Sequence, residues 1–178
     1  MQNPLLPFIQ QNGAFILDGG LATELEAWGC NLGDALWSAR LLRDDPHIIR
    51  RVHLAYYQAG ADCAITASYQ ATIPGFMAQG MTEAEAVRLL NLAVELAVQA
   101  RDEFWAEAAN RVGRIRPLVA ASVGPYGAYL ADGSEYRGDY DLDEAGLRAW
   151  HAPRWQLLAT AGADLLACET LPSLAEAK

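Results

Sequence analysis

The sequence predicts an α/β protein in which parallel strands alternate with outer helices. Three observations carry that prediction. Four short apolar runs, at 14–17, 63–66, 117–123 and 165–168, each end in polar or turn-forming residues. Segments of helical periodicity separate them. The tetrapeptide Ala-Gly-Ala-Asp occurs at 59–62 and again at 161–164, each time marking a helix end, a stop glycine and the approach to a strand.

Ala14 to Leu17 reads as a buried strand closed by Asp18-Gly19-Gly20. Leu21 to Trp28 is long enough for one or two helical turns. Pro46 opens the next helix, because its missing N–H has no partner in a first turn anyway, and Gly60 ends it. Cys63 to Thr66 is the second strand, followed by a turn-rich stretch from Ser68 to Gly80. Thr82 and Glu85 form a capping-box pair ahead of a long helix from Glu83 to about Glu107, with Val87, Leu90, Val94 and Val98 at helical spacing. Pro117 to Val123 is the third strand, closed by Gly124-Pro125. Tyr126 to Asp141 reads as a polar loop too long for a mere connector. Asp143 to Ala161 is helical, with Pro153 expected to kink or break it. Leu165 to Cys168 is the fourth strand, and Ser173 begins another helix.

Repeated strand–helix units suit a (β/α) barrel, which needs eight strands and about 250 residues. Four strands in 178 residues equally suit a small open sheet, and the pattern alone leaves both open. The composition, 52% hydrophobic and 20% charged, supports a sizeable core in one domain. A net charge of −9, spread along the chain, repels phosphate backbones and excludes a nucleic-acid surface. No apolar run approaches the roughly 20 residues of a membrane span, and residues 1–13 lack the pattern of a signal peptide. Cys30, Cys63 and Cys168 form no CxxC pair and are expected to be free thiols in the cytoplasm.

Sites in parallel α/β folds form at the C-terminal ends of strands. The four ends bring Asp18, Gly19 and Gly20; Thr66, Ser68, Tyr69 and Gln70; Ser122 and Gly124; and Cys168, Glu169 and Thr170. Asp18 or Glu169 is suited to pairing with the ammonium of a small amino-bearing ligand. The plainer readings are a turn for Asp18, a solvated strand end for Glu169, packing for Cys168, and core cover for Tyr69 and Trp37. His47, His53 and His151 show no metal spacing and read as surface residues. GxSxG, GxGxxG, HExxH and a phosphate-binding Gly-rich loop ending in Lys-Ser/Thr are all missing from the sequence.

Several blocks resemble the homocysteine S-methyltransferase family, in the family's order and across essentially the whole chain. They are the run from Leu17 to Glu26 (LDGGLATELE), Leu36 to Ala39, Ile65 to Thr72 (ITASYQAT), Ala121 to Ala128 (ASVGPYGA) and Cys168 to Pro172 (CETLP). Ala131 to Tyr136 is similar to the bacterial branch that uses S-methylmethionine. The resemblance implies a TIM-type (β/α)8 barrel in the parent protein. Residues 1–178 would supply its N-terminal half, about the first four β/α units of a homocysteine-binding domain. It implies methyl transfer from S-methylmethionine or S-adenosylmethionine to homocysteine, giving methionine, with zinc holding the thiolate. Asp18 and Glu169 would hold the homocysteine amino group, and Gly19 would let the backbone approach the ligand. Trp37 and Tyr69 would wall the pocket, Ser122 would stand at the third strand end, and Tyr126 would border the donor.

The family's zinc ligands are three cysteines, one ending a later strand and two in a Gly-Gly-Cys-Cys segment. None of Cys30, Cys63 and Cys168 matches these positions, so the ligands are expected beyond Lys178. This chain alone is therefore expected to bind no catalytic zinc and to be inactive. Open sheet edges are expected to favour self-association and to leave the fold marginal. Two alternatives remain: a catalytically dead half-barrel acting only by binding or self-association, and a barrel enzyme that uses betaine or a folate as donor.

Overall fold

The computed structural model describes residues 3–33 and 37–178, with the side chains of residues 37–39 outside the description. It is an α/β fold whose parallel sheet has three strands, β1 (Cys63–Ile65), β2 (Leu118–Val123) and β3 (Leu165–Cys168), in the order β1-β2-β3. Ile65 stands opposite Ala120, and Val123 opposite Cys168, so the three strands run the same way and their C-terminal ends face one side, with β1 stopping short of the other two.

The first expected strand is reduced to a single parallel bridge, Leu17 to Cys63. Asp18 N–H donates to Cys63 O at 2.9 Å and Asp62 N–H to Ile16 O at 2.7 Å, but the Ile16 N–H is taken by the Asp62 carboxylate at 3.0 Å. That side-chain bond ends the ladder after one residue. Ile16 and Leu17 are more than half exposed, as residues of an outer strand with no further neighbour.

The repeated Ala-Gly-Ala-Asp units have one structural meaning. Gly60 and Gly162 take φ of 116° and 98°, left-handed values that side chains rarely adopt, and turn the chain from helix to strand. The aspartate of each unit then accepts from the start of the preceding strand: Asp62 from Ile16 N–H, and Asp164 from Val119 N–H at 2.8 Å. Asp164 also holds the buried Arg101 at 2.7 Å.

Helices α1 (Leu6–Asn12), α2 (Leu21–Ala27), α3 (Trp37–Asp44) and α4 (Pro46–Ala59) precede β1, and α4 packs on β1 while α2 and α3 pack on α4. After β1 come α5 (Ile73–Ala78) and α6 (Glu83–Ala106). Thr82 and Glu85 close both halves of the predicted capping box at the start of α6. The buried stripe of α6, from Ala86 through Leu90, Val94 and Ala97 to Phe104, packs on α4, on α5 and on the sheet.

The stretches read as a turn-rich segment and a polar loop each contain a helix. Thr72 caps α5 by accepting from Gly75 N–H at 3.0 Å. Tyr126 to Leu130 forms α7, and a 3-10 turn follows at Ser134–Tyr136. Helix α8 (Glu144–Thr160) continues through Pro153, so of the expected kink or break the break does not occur. After β3, α9 (Leu174–Ala177) returns Glu176 to His151, 2.9 Å away. Helices α1 and α3 have no counterpart in the sequence reading.

Candidate functional site

The strand ends enclose a cleft of ≈ 540 Å³ lined by Asp18, Gly19, Gly20, Thr66, Tyr69, Gln70 and Glu169, among others. Asp18 follows the Leu17 bridge, and its Oδ2 accepts from Ile65 N–H at 2.9 Å. That bond fixes the carboxyl across the end of β1. Its side chain is only 5% exposed, so loss of solvation opposes its charge. Burial, with a smaller contribution from the charge of Glu169, pushes the Asp18 carboxyl up to about 7, although the Ile65 N–H pulls the other way.

Glu169 comes from the end of β3. The Ser122 hydroxyl donates to its Oε1, and the buried network behind it runs through the first two strand ends. Ser68 Oγ donates to Ser122 O at 2.7 Å, Thr66 Oγ1 and Ser68 Oγ share a bond at 2.7 Å, and Ser122 N–H donates to Thr66 Oγ1 at 3.0 Å. The hydroxyls that follow β1 are thus bonded to the end of β2, and Ser122 holds Glu169 rather than lining the cleft. Thr170 takes φ of 57°, a sterically costly region for a β-branched residue, where the chain turns away from Glu169.

Tyr69 lines the cleft beside Glu169. Burial pushes its phenol above the ordinary range, against a hydrogen bond with Thr170 that lowers it. Gly124 is required by this packing: a Cβ there would stand 2.5 Å from Tyr69 O and 2.7 Å from its ring. Arg154, buried on α8, donates to Gly124 O at 2.6 Å, Tyr69 O at 3.3 Å and Ala71 O at 3.4 Å. One guanidinium therefore ties the loop after β1 to the end of β2, a role with no periodicity or motif to announce it. Its desolvation pushes the Arg154 pKa down to about 10.

The structure thus brings Asp18, Gly19, Tyr69 and Glu169 together around one cleft, with Ser122 behind Glu169. At Gly19 the space a Cβ would need is filled by Tyr56, whose Oη would be 2.7 Å away. Tyr126 lies elsewhere, in an aromatic cluster with Tyr129, Tyr140 and Trp150. The Trp37 side chain lies outside the described residues. His53, expected at the surface, is fully buried on α4, its Nδ1 4.0 Å from Asp18 Oδ2. Its turn of α4 faces the core between Ile49 and Tyr57, which the apolar i, i+4 pattern of that helix signals.

The buried Asp18 carboxyl and the half-buried Glu169 share a cleft whose lining includes no basic side chain among the described residues, an arrangement complementary to a cation. The remaining wall is one aromatic ring, hydroxyls and short apolar side chains. The residues present do not make a zinc site: among the described residues no three His, Cys, Asp or Glu side chains gather as metal ligands. Burial pushes the Cys63 thiol up to about 12, which disfavours the thiolate a metal requires, and of the three cysteines Cys168 alone stands at a strand end.

The family model for homocysteine S-methyltransferase matches residues 15–178. The chain is 57% identical over 176 residues to the homocysteine S-methyltransferase YbgG of Bacillus subtilis, covering 99% of this chain and 56% of that protein. It is 57% identical over 174 residues to a homocysteine S-methyltransferase of Escherichia coli, covering 98% of this chain and 55% of that protein. The fold superposes on the crystal structure of the metallated form of the E. coli homocysteine methyltransferase MmuM with a TM-score of 0.90 at 57% identity, covering 98% of this chain and 59% of that one. The chain spans about half the length of the curated relatives it matches. Sequence match and shared fold over nearly every residue place this chain in the homocysteine S-methyltransferase family.

Proposed function

We propose that this chain supplies the amino-acid-binding half of an enzyme that transfers a methyl group to homocysteine, within a (β/α)8 barrel. The observation that carries this reading is the pairing of Asp18 and Glu169 across a cleft at the strand ends, in a chain of this family. The sequential strand order, with no reversal, is the order a singly wound barrel requires.

The homocysteine ammonium would sit between the two carboxylates, with Ser122 fixing Glu169 and Ile65 N–H fixing Asp18. Binding there aligns the substrate sulfur toward a sulfonium donor, S-methylmethionine or S-adenosylmethionine. The sulfur forms a new bond to the methyl carbon as the donor's S–CH₃ bond breaks. The bonding pair leaves with the donor sulfur as a neutral thioether. The acidic cleft and the Tyr69 ring favour a cationic donor. Zinc is the expected activator of the thiol, in keeping with a solved relative described in a metallated form. The cysteines of this chain do not fit that ion. The chain alone is accordingly read as inactive.

The test is steady-state kinetics on a full-length parent protein. Asp18→Asn and Glu169→Gln are each expected to raise KM for homocysteine roughly ten- to a hundredfold, the equivalent of one charge-assisted hydrogen bond, with a smaller rise in KM for the cationic donor. Unchanged homocysteine KM in both variants would remove the assignment. A second reading, a binding or self-associating half-barrel, is favoured by the exposed edges at Ile16, Leu17 and Cys168.

A further inference from the structure

The geometry points to His53 as a positioning residue for Asp18: a buried, neutral imidazole behind the carboxyl whose Nδ1–H engages Oδ2 and leaves the other oxygen to the cleft. The inference rests on the reading of Asp18 as an ammonium partner.

His53 lies on α4, its side chain only 1% exposed, and neither ring nitrogen has a hydrogen-bond partner. Nδ1 stands 4.0 Å from Asp18 Oδ2, just beyond hydrogen-bonding distance. A buried polar ring with both nitrogens unpaired is rare and calls for a partner. Asp18 Oδ2 holds one bond, from Ile65 N–H, and a carboxylate oxygen accepts two. The carboxyl is thus suited to take the ring's proton donor.

Other charged groups packed near α4 are engaged elsewhere. On α6, Glu103 pairs with Arg50, and Arg101 with Asp102 and Asp164. On α3, Arg43 pairs with Asp44 and Arg40 donates to Asn31 O. On β1, the Cys63 thiol is held protonated. On α2, Glu24 acts on Tyr56. Burial pushes His53 down to about 4, so the ring is neutral at physiological pH and donates from one nitrogen only. A neutral donor favours the ionised carboxylate, the form an ammonium needs, without neutralising it as an imidazolium would.

The experiment is a carbon-detected NMR titration of the Asp18 carboxyl in this chain without ligand, for wild type, His53→Asn and His53→Phe. The Asn amide N–H₂ reproduces the Nδ1 donor, whereas Phe keeps the ring volume and removes it. The expected result is an Asp18 midpoint raised by about one pH unit in His53→Phe, a tenfold change in proton affinity, and restored toward wild type in His53→Asn. Coincident midpoints in wild type and His53→Phe, with the chemical-shift dispersion of a folded chain, would overturn the inference. If His53→Phe does not fold, wild type and His53→Asn are compared with His53→Leu, and the same ordering decides. Homocysteine titration of the wild-type chain tests the ammonium site itself. Its failure alongside a shifted Asp18 midpoint would count against the proposed function and leave the His53–Asp18 contact standing.

Discussion

At the scale of single residues, the site depends on a carboxylate held where water solvates it poorly. Asp18 is pushed from its ordinary value of 3.8 to about 7, chiefly by burial. A carboxyl whose folded pKa lies above its unfolded one favours the folded state while protonated. Stability is therefore fully present below about pH 4 and declines as pH rises toward 7, by at most about 1.4 kcal/mol per pH unit for this one group. Asp18→Asn keeps the acceptor for Ile65 N–H but cannot ionise. Urea denaturation at pH 5 and pH 8 is expected to show the variant gaining stability over wild type at the higher pH, and parallel profiles would show that Asp18 is not desolvated. The candidate residues at this scale were legible because strand-end positions in parallel sheets converge. His53 was not, because a lone histidine at a helical core position differs from a surface histidine only in the company of Ile49, Val52 and Tyr57.

At the scale of elements, the strand-end loops are held by close contacts rather than by long ladders. Gly124 sits against Tyr69 O and its ring, with no room for a methyl group. Gly124→Ala must displace the Tyr69 wall, and is expected to destabilise the chain by about 1–3 kcal/mol, read from the urea midpoint at constant slope. A midpoint equal to wild type would mean that the two loops separate freely. The capping box, the stop glycines and three strands were readable because local chemistry sets them. Helices α5 and α7 were not, since Pro74 and Gly75 in one and Gly127 in the other read as loop residues while packing stabilises them as helix. The first strand shrank to a bridge because the Asp62 side chain, pointing back along the sheet, displaces a backbone partner. Arg154 shows the same limit: its reach from α8 to Tyr69, Ala71 and Gly124 is a tertiary fact.

At the scale of the whole molecule, no strand among the described residues pairs beyond the Leu17 bridge on one side of the sheet or beyond β3 on the other. Leu17 is 54% exposed beside β1, and β3 is only partly covered, with Trp155 and Leu174 exposed nearby. Unpaired strand edges with apolar neighbours invite pairing with another chain. Sedimentation velocity over rising concentration is expected to show reversible self-association, and a monomer at all concentrations would show that the edges are protected. The strand–helix alternation was legible from the sequence, and the repeated aspartate units now have a physical cause in the strand N–H groups they accept from.

The most direct test of the central claim, that Asp18 and Glu169 form a homocysteine amino-group site, is an NMR titration of this chain with two ligands, homocysteine and 4-mercaptobutanoate, which lacks the amino group. Saturable shifts are expected at Gly19, Ile65, Tyr69 and Thr170 with homocysteine, none with the deaminated analogue, and their loss in Asp18→Asn. Equal shifts with both ligands, or shifts that survive Asp18→Asn and Glu169→Gln, would contradict it.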